Sequence, residues 1–198
     1  MQKTANFLLL VLVFMFFGIQ SLVTSSSLQP EYVLQHQKDN YTKMLIFQAI
    51  ERQALLERRM YDSLASKPSV KWLLTGFTET QIQIESSGNQ NAISPEGAQG
   101  IAQFLPSTWE ALKRNKLIPE WFVIGNEAHQ RMAQLIYLNY LYDKWYDQPR
   151  EDRKALMAAS YNAGLGTVKD LVNTYGSEWR NYLPDETIKY LNTLKRFV

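Results

Sequence analysis

Cysteine is absent from this chain of 198 residues. The absence excludes disulfides, thiolate metal sites and a cysteine nucleophile. The only two histidines, His36 and His129, are far apart in the chain and lack the paired spacing of a catalytic metal site. The net charge is only +2 and no Lys/Arg-rich run occurs, so a phosphate-tracking surface is not expected. We therefore expect no metal, no cofactor and no nucleic-acid partner.

Long β-alternating segments, internal repeats and low-complexity tracts are also missing. Hydrophobic residues nevertheless make up 45% of the chain, which is enough for one domain with a core. Because these residues recur mostly at helical spacing, the sequence predicts an all-α fold. A Gly/Asn/Ser-rich segment from Asn89 to Gly100 predicts tight turns, with a small β-hairpin as an alternative.

The N-terminus has the layout of a targeting segment. Lys3 is the only charged residue before Glu31, and an apolar run from Phe7 to Ile19 is followed by small residues. The run is short for a membrane span of about 20 residues, but an anchor over residues 5–23 is an alternative. We predict a cleaved signal peptide or a membrane anchor at residues 1–27, and export in either case.

Residues 28–66 are predicted to form a helical segment and residues 67–198 a folded domain. The helical segment is either a stalk or a helix packed on the domain, with a second helix start near Asp39 or Asn40 as an option. The domain is predicted to contain a continuous helix over Ser69–Ser86, a capping box at its next helix, and four later helices. The capping box is Ser107 to Glu110, and the later helices are a long one capped by Asn126, one over Glu151–Ala163, one over Val168–Tyr175 and one opened at Pro184.

Glu85 is the carboxylate of greatest chemical interest. Eleven positions separate it from Leu74, which at 100° per residue puts the two about 20° apart on one continuous helix. Apolar surroundings and the negative end of the helix dipole are both expected to raise its pKa, as a general acid requires. A carboxylate satisfied by local hydrogen bonds, or a surface glutamate at a frayed helix end, is the structural alternative.

Three segments then occur in a characteristic order. The first combines Glu85-Ser86, Asn91-Ala92-Ile93-Ser94, Gly97-Ala98-Gln99-Gly100-Ile101-Ala102-Gln103 and Leu105-Pro106-Ser107-Thr108. The second is Ser160-Tyr161-Asn162-Ala163-Gly164, and the third is Leu183-Pro184-Asp185-Glu186-Thr187 with Tyr190-Leu191. Together they resemble the signature of lytic transglycosylases of the soluble (SLT) type, with departures at a few positions: Gly88, Gln90, Ala102, Leu105 and Ser160.

The resemblance implies a lysozyme-like α fold at residues 67–198 that binds peptidoglycan glycan strands. With the predicted export, we expect the protein in the periplasm or cell envelope, and we expect it to be a monomer. The resemblance also implies cleavage of the β-1,4 bond between N-acetylmuramic acid and N-acetylglucosamine without water, leaving a 1,6-anhydro ring. By motif match, Glu85 is the catalytic acid and then the base. The residues implied in substrate binding or in orienting Glu85 are Ser86, Ser94, Gln103, Tyr161, Asn162 and Glu186.

Few acidic residues follow Glu85, which agrees with a mechanism that uses one carboxylate. An ordinary glycosidase needs two, whereas Glu96 is the only acidic residue between Glu85 and Glu110 and is expected to be solvated in a turn. One alternative is a lysozyme-like hydrolase with Glu186 as the second carboxylate. Another is an inactive wall-binding component of a secretion, conjugation or phage-entry machine.

Overall fold

The computed structural model describes residues 30–198, and helices dominate this part of the chain. The α-helices are α1 Pro30–Ala65, α2 Pro68–Lys71, α3 Thr78–Ser86, α4 Pro106–Arg114, α5 Glu127–Asp143, α6 Arg150–Ala163, α7 Leu165–Tyr175 and α8 Asp185–Thr193. A π-type turn, Leu73–Phe77, precedes α3, and a 3₁₀ helix, Gly176–Tyr182, precedes α8. The expectation of an all-α domain preceded by an N-terminal helix is confirmed.

Helix α1 runs unbroken through Asp39 and Asn40, so the optional second helix start there is wrong. The chain divides into two compact units after Glu57. The last turns of α1 belong to the second unit, where Met60 and Leu64 pack against a buried apolar cluster. The boundary at residues 66/67 and the role of the rest of α1, as a stalk or as a helix packed on the domain, stay predictions.

None of the helices in residues 30–198 is long and apolar enough to cross a membrane. The predicted targeting segment, including the alternative anchor over residues 5–23, lies outside the described residues.

The predicted continuous helix over Ser69–Ser86 is wrong, because the helix is interrupted before α3 begins. Gly76 adopts φ 107°, a conformation open to glycine but not to helical residues, and Thr75 is also non-helical. Leu74 is consequently 36% exposed and does not share a helix face with Glu85. Glu85 instead shares the buried face of the shorter α3, four residues after Gln81 and three after Ile82.

The ends of the other helices follow local chemistry. The predicted capping box at Ser107 is wrong: Pro106 occupies the first turn of α4, Leu105 is the N-cap residue, and no side chain caps the helix. The Asn126 cap is as predicted, since its side chain accepts a hydrogen bond from the His129 backbone N–H. The 3₁₀ helix before α8 was not predicted from the sequence.

The segment between α3 and α4 is a compact loop without a regular hairpin. Two isolated antiparallel bridges join Gln99 to Ile93 and to Phe104. Within residues 30–198 there is no β-strand longer than these single bridges. The loop therefore folds back and pairs with itself at two points.

Two buried apolar clusters support the domain. One lies among α5, α6, α7 and α8 and includes Leu138, Met157 and Leu194. The other joins Ile82 of α3 to the loop and to α4. Tyr137 of α5 and Tyr161 of α6 pack against both clusters.

Candidate active site

A cleft of about 690 Å³ opens where side chains of both clusters meet. Its lining comes from the end of α3, the loop before α4, the end of α6 and one face of α8. The α8 contribution has the spacing of a single helix face: Glu186, Lys189, Tyr190 and Thr193.

Glu85 projects into this cleft from the last turn of α3 and is partly buried. Burial raises the pKa of its carboxyl group from 4.5 to about 7, a hydrogen bond with Tyr190 opposes the rise, and the negative charge of Glu186 adds to it. The raised pKa predicted from the sequence therefore has burial as its main cause. A carboxyl group with such a pKa exchanges its proton readily at neutral pH.

Tyr190 is the residue of the site that the sequence argument missed. It is buried at the floor of the cleft, and its hydroxyl contacts Glu85 and accepts a hydrogen bond of 2.7 Å from the Gln81 side chain. Burial, followed by the charge of Glu85, raises the pKa of Tyr190 well above its usual range, so the hydroxyl keeps its proton. Its place in the third motif was the signal that could have identified it.

Ser94 and Glu96 form one rim of the cleft within a tight turn. The Ser94 hydroxyl donates to a Glu96 carboxylate oxygen at 3.0 Å and accepts from the Ala98 backbone N–H at 3.2 Å. Glu96 is exposed, as expected for a turn residue, but it also lines the cleft. Its sequence context predicts only a solvated turn residue and gives no indication that Glu96 lies at the site.

Gln103 lines the cleft from a strained backbone position. It adopts φ 48°, in the left-handed region that residues other than glycine seldom occupy. Its side-chain nitrogen donates to the Gly100 carbonyl at 2.8 Å, which holds the loop closed on itself. Strain of this kind costs about 1–3 kcal/mol and is concentrated at functional sites.

Tyr161 and Asn162 place the end of α6 against the rest of the cleft. The Tyr161 hydroxyl donates to the Ala102 carbonyl at 2.8 Å, and its ring packs on Phe104 and Tyr137. The Asn162 side-chain oxygen accepts from the Thr187 hydroxyl at 2.7 Å and so ties α6 to α8. Both residues line the cleft and also brace its walls.

The remaining predicted residues occupy different positions. Glu186 is exposed and lines the cleft. Ser86 is not among the cleft-lining residues; its hydroxyl donates to the Ile101 carbonyl at 2.9 Å and fastens α3 to the loop. Ser86 therefore contacts the loop that surrounds the site and not the Glu85 side chain.

Gln130 is a second residue that the sequence argument missed. It is buried on α5, accepts from the Ala102 backbone N–H at 2.9 Å and donates to the Gln99 carbonyl at 2.9 Å. One side chain thereby satisfies backbone groups of the loop at two positions, in addition to the loop's own backbone hydrogen bonds. An interior glutamine on a helix carries no distinctive sequence signal.

A comparison with protein families now adds to this geometry. The family model of the transglycosylase SLT domain matches residues 80–183, which is more than half of the chain. The chain belongs to this family. The matched range begins just before Glu85 and ends just before Glu186, so it covers the loop and α6 and excludes α8. Comparison with curated proteins finds no match.

SLT domains have lytic transglycosylase-type activity on peptidoglycan, and their substrate lies in the periplasm or cell envelope. The resemblance described from the sequence is thereby confirmed at the level of family, fold and substrate class. The motif match and the cleft converge on the same part of the SLT domain.

Proposed function

We propose that this protein is a peptidoglycan lytic transglycosylase in which Glu85 acts first as acid and then as base. The observation that carries the proposal is the raised pKa of Glu85, about 7, in a cleft of the SLT domain. Near neutral pH such a group is populated in both protonation states. It can give a proton in one step and take a proton in the next.

In the first step the protonated Glu85 donates its proton to the oxygen that joins the two sugars. The bond from C1 of N-acetylmuramic acid to that oxygen breaks, and N-acetylglucosamine leaves with a free hydroxyl group. Positive charge develops at C1 and is opposed by polar groups of the cleft and by the substrate's own N-acetyl group. Glu85 is now a carboxylate.

In the second step the 6-hydroxyl of the same muramic acid attacks C1, and Glu85 takes up its proton. A C1–O6 bond forms, the 1,6-anhydro ring closes, and Glu85 returns to its initial state. Atoms balance without water. No second protein carboxylate is required, in contrast to the pair used by ordinary glycosidases.

A hydrolase is the second candidate, because the cleft holds two further carboxylates. Glu186 and Glu96 both line it, and the charge of Glu186 acts on Glu85. Either could activate a water molecule in an inverting reaction or act as the nucleophile in a retaining reaction. Two observations count against this role for Glu96 and Glu186: Glu96 already accepts a hydrogen bond from Ser94, and both residues are exposed.

The identity of the products separates the two reactions. Mass spectrometry of digested peptidoglycan should find muropeptides with anhydro ends, which are lighter than hydrolysis products by one water. Products with reducing ends would establish the hydrolase instead.

Substitution of the acid tests its assignment. We expect Glu85→Gln to lose at least about 1,000-fold in activity, because no other cleft residue replaces its proton. Glu186→Gln and Glu96→Gln should keep the chemistry and change mainly substrate affinity. Survival of wall digestion in Glu85→Gln would remove the single-acid mechanism. A wild-type protein that digests no wall but is retained on peptidoglycan in a pull-down would establish the inactive wall-binding component instead.

The remaining assignments extend the proposal to the whole chain. We propose that residues 67–198 form the catalytic domain, and that Ser94, Gln103, Tyr161, Asn162 and Glu186 contact the glycan. We also propose export through residues 1–27, as a cleaved signal or an anchor, and action as a monomer. N-terminal sequencing of the mature protein distinguishes cleavage from anchoring.

A further inference from the structure

Two glutamines without exposed surface lie behind the cleft. Gln81 of α3 and Gln134 of α5 are each at most 1% exposed. Burying a side-chain amide is costly unless its hydrogen bonds are satisfied. Apolar side chains would fill these positions at lower cost, so the pair calls for an explanation beyond packing.

The pair forms a directed chain of hydrogen bonds. The Gln134 nitrogen donates to the Gln81 side-chain oxygen at 2.7 Å. The Gln81 nitrogen then donates to the Tyr190 hydroxyl oxygen at 2.7 Å. Because the Gln81 oxygen is occupied by a donor, only its nitrogen faces Tyr190. The Tyr190 hydrogen cannot point back at Gln81 and is left to point at Glu85, which Tyr190 contacts.

We propose that Gln134 and Gln81 are positioning residues that fix the direction of the Tyr190 hydroxyl, so that it always donates to the Glu85 carboxylate. This inference rests on the proposed role of Glu85. It adds a function for two residues that do not line the cleft. The hydrogen bond from Tyr190 stabilises the charged form of Glu85 and so keeps the rise in its pKa within the neutral range.

Other titratable groups line the same cleft, and of these Tyr190 and Glu186 act on the pKa of Glu85. The titratable groups that line the cleft with Glu85 are carried by the loop, α5, α6 and α8, and are Glu96, Tyr137, Tyr161, Glu186, Lys189 and Tyr190. Among them, Tyr190 is the group that hydrogen-bonds to the Gln81–Gln134 pair. Substitutions within the pair therefore reach Glu85 through Tyr190.

The sharpest test removes Gln134. In Gln134→Leu the Gln81 amide has no donor on its oxygen, so it can turn and accept the hydrogen of Tyr190. Glu85 then loses a hydrogen bond, and we expect its pKa to rise by about one unit. Carbon-13 NMR titration of the Glu85 carboxyl group measures this directly, with the signal assigned by its loss in Glu85→Gln. The alkaline limb of kcat/KM should move up by the same amount.

The double variant Gln81→Leu/Gln134→Leu supplies the decisive comparison. It removes the competing acceptor, so Tyr190 can again donate only to Glu85. We expect the pKa of Glu85 to return toward the wild-type value, although more polar groups have been deleted. Reversal of a defect by a second deletion is not expected from a purely structural role.

Ser160→Ala serves as the matched control. Ser160 is buried and accepts a 3.1 Å hydrogen bond from Trp145, which is not a member of the Gln134–Gln81–Tyr190 chain. We expect Ser160→Ala to lower the free energy of unfolding and to leave the pKa of Glu85 unchanged. If Gln134→Leu is too unstable to study, Gln134→Met also lacks the amide and gives the same test.

The proposal would be overturned if the pKa of Glu85 were unchanged in Gln134→Leu. It would also be overturned if the pKa of Glu85 were shifted as far in the double variant as in the single one. The NMR titration does not depend on catalysis. Failure of the catalytic assignment would therefore appear separately, as activity that survives in Glu85→Gln while the titration still responds to Gln134.

Discussion

Glu85 is a residue whose surroundings disfavour the charged form of its carboxyl group. Burial, with the charge of Glu186, raises its pKa to about 7, and only the hydrogen bond with Tyr190 acts in the other direction. The same features that lower the stability of the carboxylate make the neutral acid available. Two predictions follow from this one pKa.

The first concerns activity. Because cleavage begins with a protonated Glu85, kcat/KM should be high below pH 7 and fall tenfold per pH unit above it. Initial rates on soluble glycan fragments between pH 5 and 9 measure this limb. Activity that stays constant up to pH 9 would show that the acid is a different group.

The second concerns stability. The folded protein binds the Glu85 proton more tightly than the unfolded chain, whose glutamate pKa is near 4.5. Ionisation of Glu85 therefore does not lower the free energy of unfolding below about pH 4.5. Between about pH 4.5 and about pH 7 it lowers this free energy by an increasing amount, and above that by roughly 3 kcal/mol. Glu85→Gln should accordingly be more stable than the wild type at pH 8.

Urea unfolding at two pH values checks this expectation. The gain in Glu85→Gln should be about 1–3 kcal/mol at pH 8 and close to zero at pH 4. An equal gain at both values would attribute the effect to packing and not to ionisation.

At the scale of elements, the loop between α3 and α4 is held by side chains of two helices as well as by its own backbone hydrogen bonds. Gln130 bonds to its backbone from α5, and Ser86 bonds to it from α3. Gly100 lies against Gln130 so closely that a Cβ atom there would be 2.0 Å from the amide nitrogen. The order of this wall of the cleft thus depends on two helices.

Gly100→Ala tests the contact, with Gly97→Ala as a matched control. Both glycines have positive φ, at 75° and 83°, but a Cβ at Gly97 meets nothing within 4 Å. We expect Gly97→Ala to cost about 1 kcal/mol from backbone strain alone and Gly100→Ala about 2 kcal/mol more. Thermal unfolding of both variants gives the difference, and equal losses would show that Gln130 moves aside freely.

At the scale of the whole molecule, the division of the chain bears on which part is sufficient for activity. The second compact unit begins at Arg58, and Met60 and Leu64 pack on its apolar cluster. The family match covers a shorter range, residues 80–183. The end of α1 therefore contributes to the domain, although the family match does not include it.

Two fragments make this measurable. A fragment of residues 58–198 should fold cooperatively and release the same muropeptides as the full chain. A fragment of residues 67–198 lacks Met60 and Leu64, and we expect it to be less stable by about 2–3 kcal/mol from lost apolar burial. Equal stability of the two fragments would place the boundary at residue 67.

The sequence by itself determined the helical class, several helix ends and the family. Helical spacing, the Asn126 cap and the glycine at the end of α6 act locally, and the three motifs are read in order along the chain. Predictions from the local sequence were wrong at two places. Gly76 broke a helix whose apolar pattern looked continuous, and Pro106 displaced a capping box.

Only the tertiary structure decided what surrounds Glu85. Tyr190 lies 105 positions after Glu85 in the chain, and Gln81 and Gln134 resemble ordinary helix residues in the sequence. Burial and hydrogen bonding depend on which elements pack together, and these long-range contacts set the pKa of Glu85 and the direction of the Tyr190 hydroxyl. The motifs identify the acid, whereas the packing of α3, α5 and α8 determines how that acid ionises.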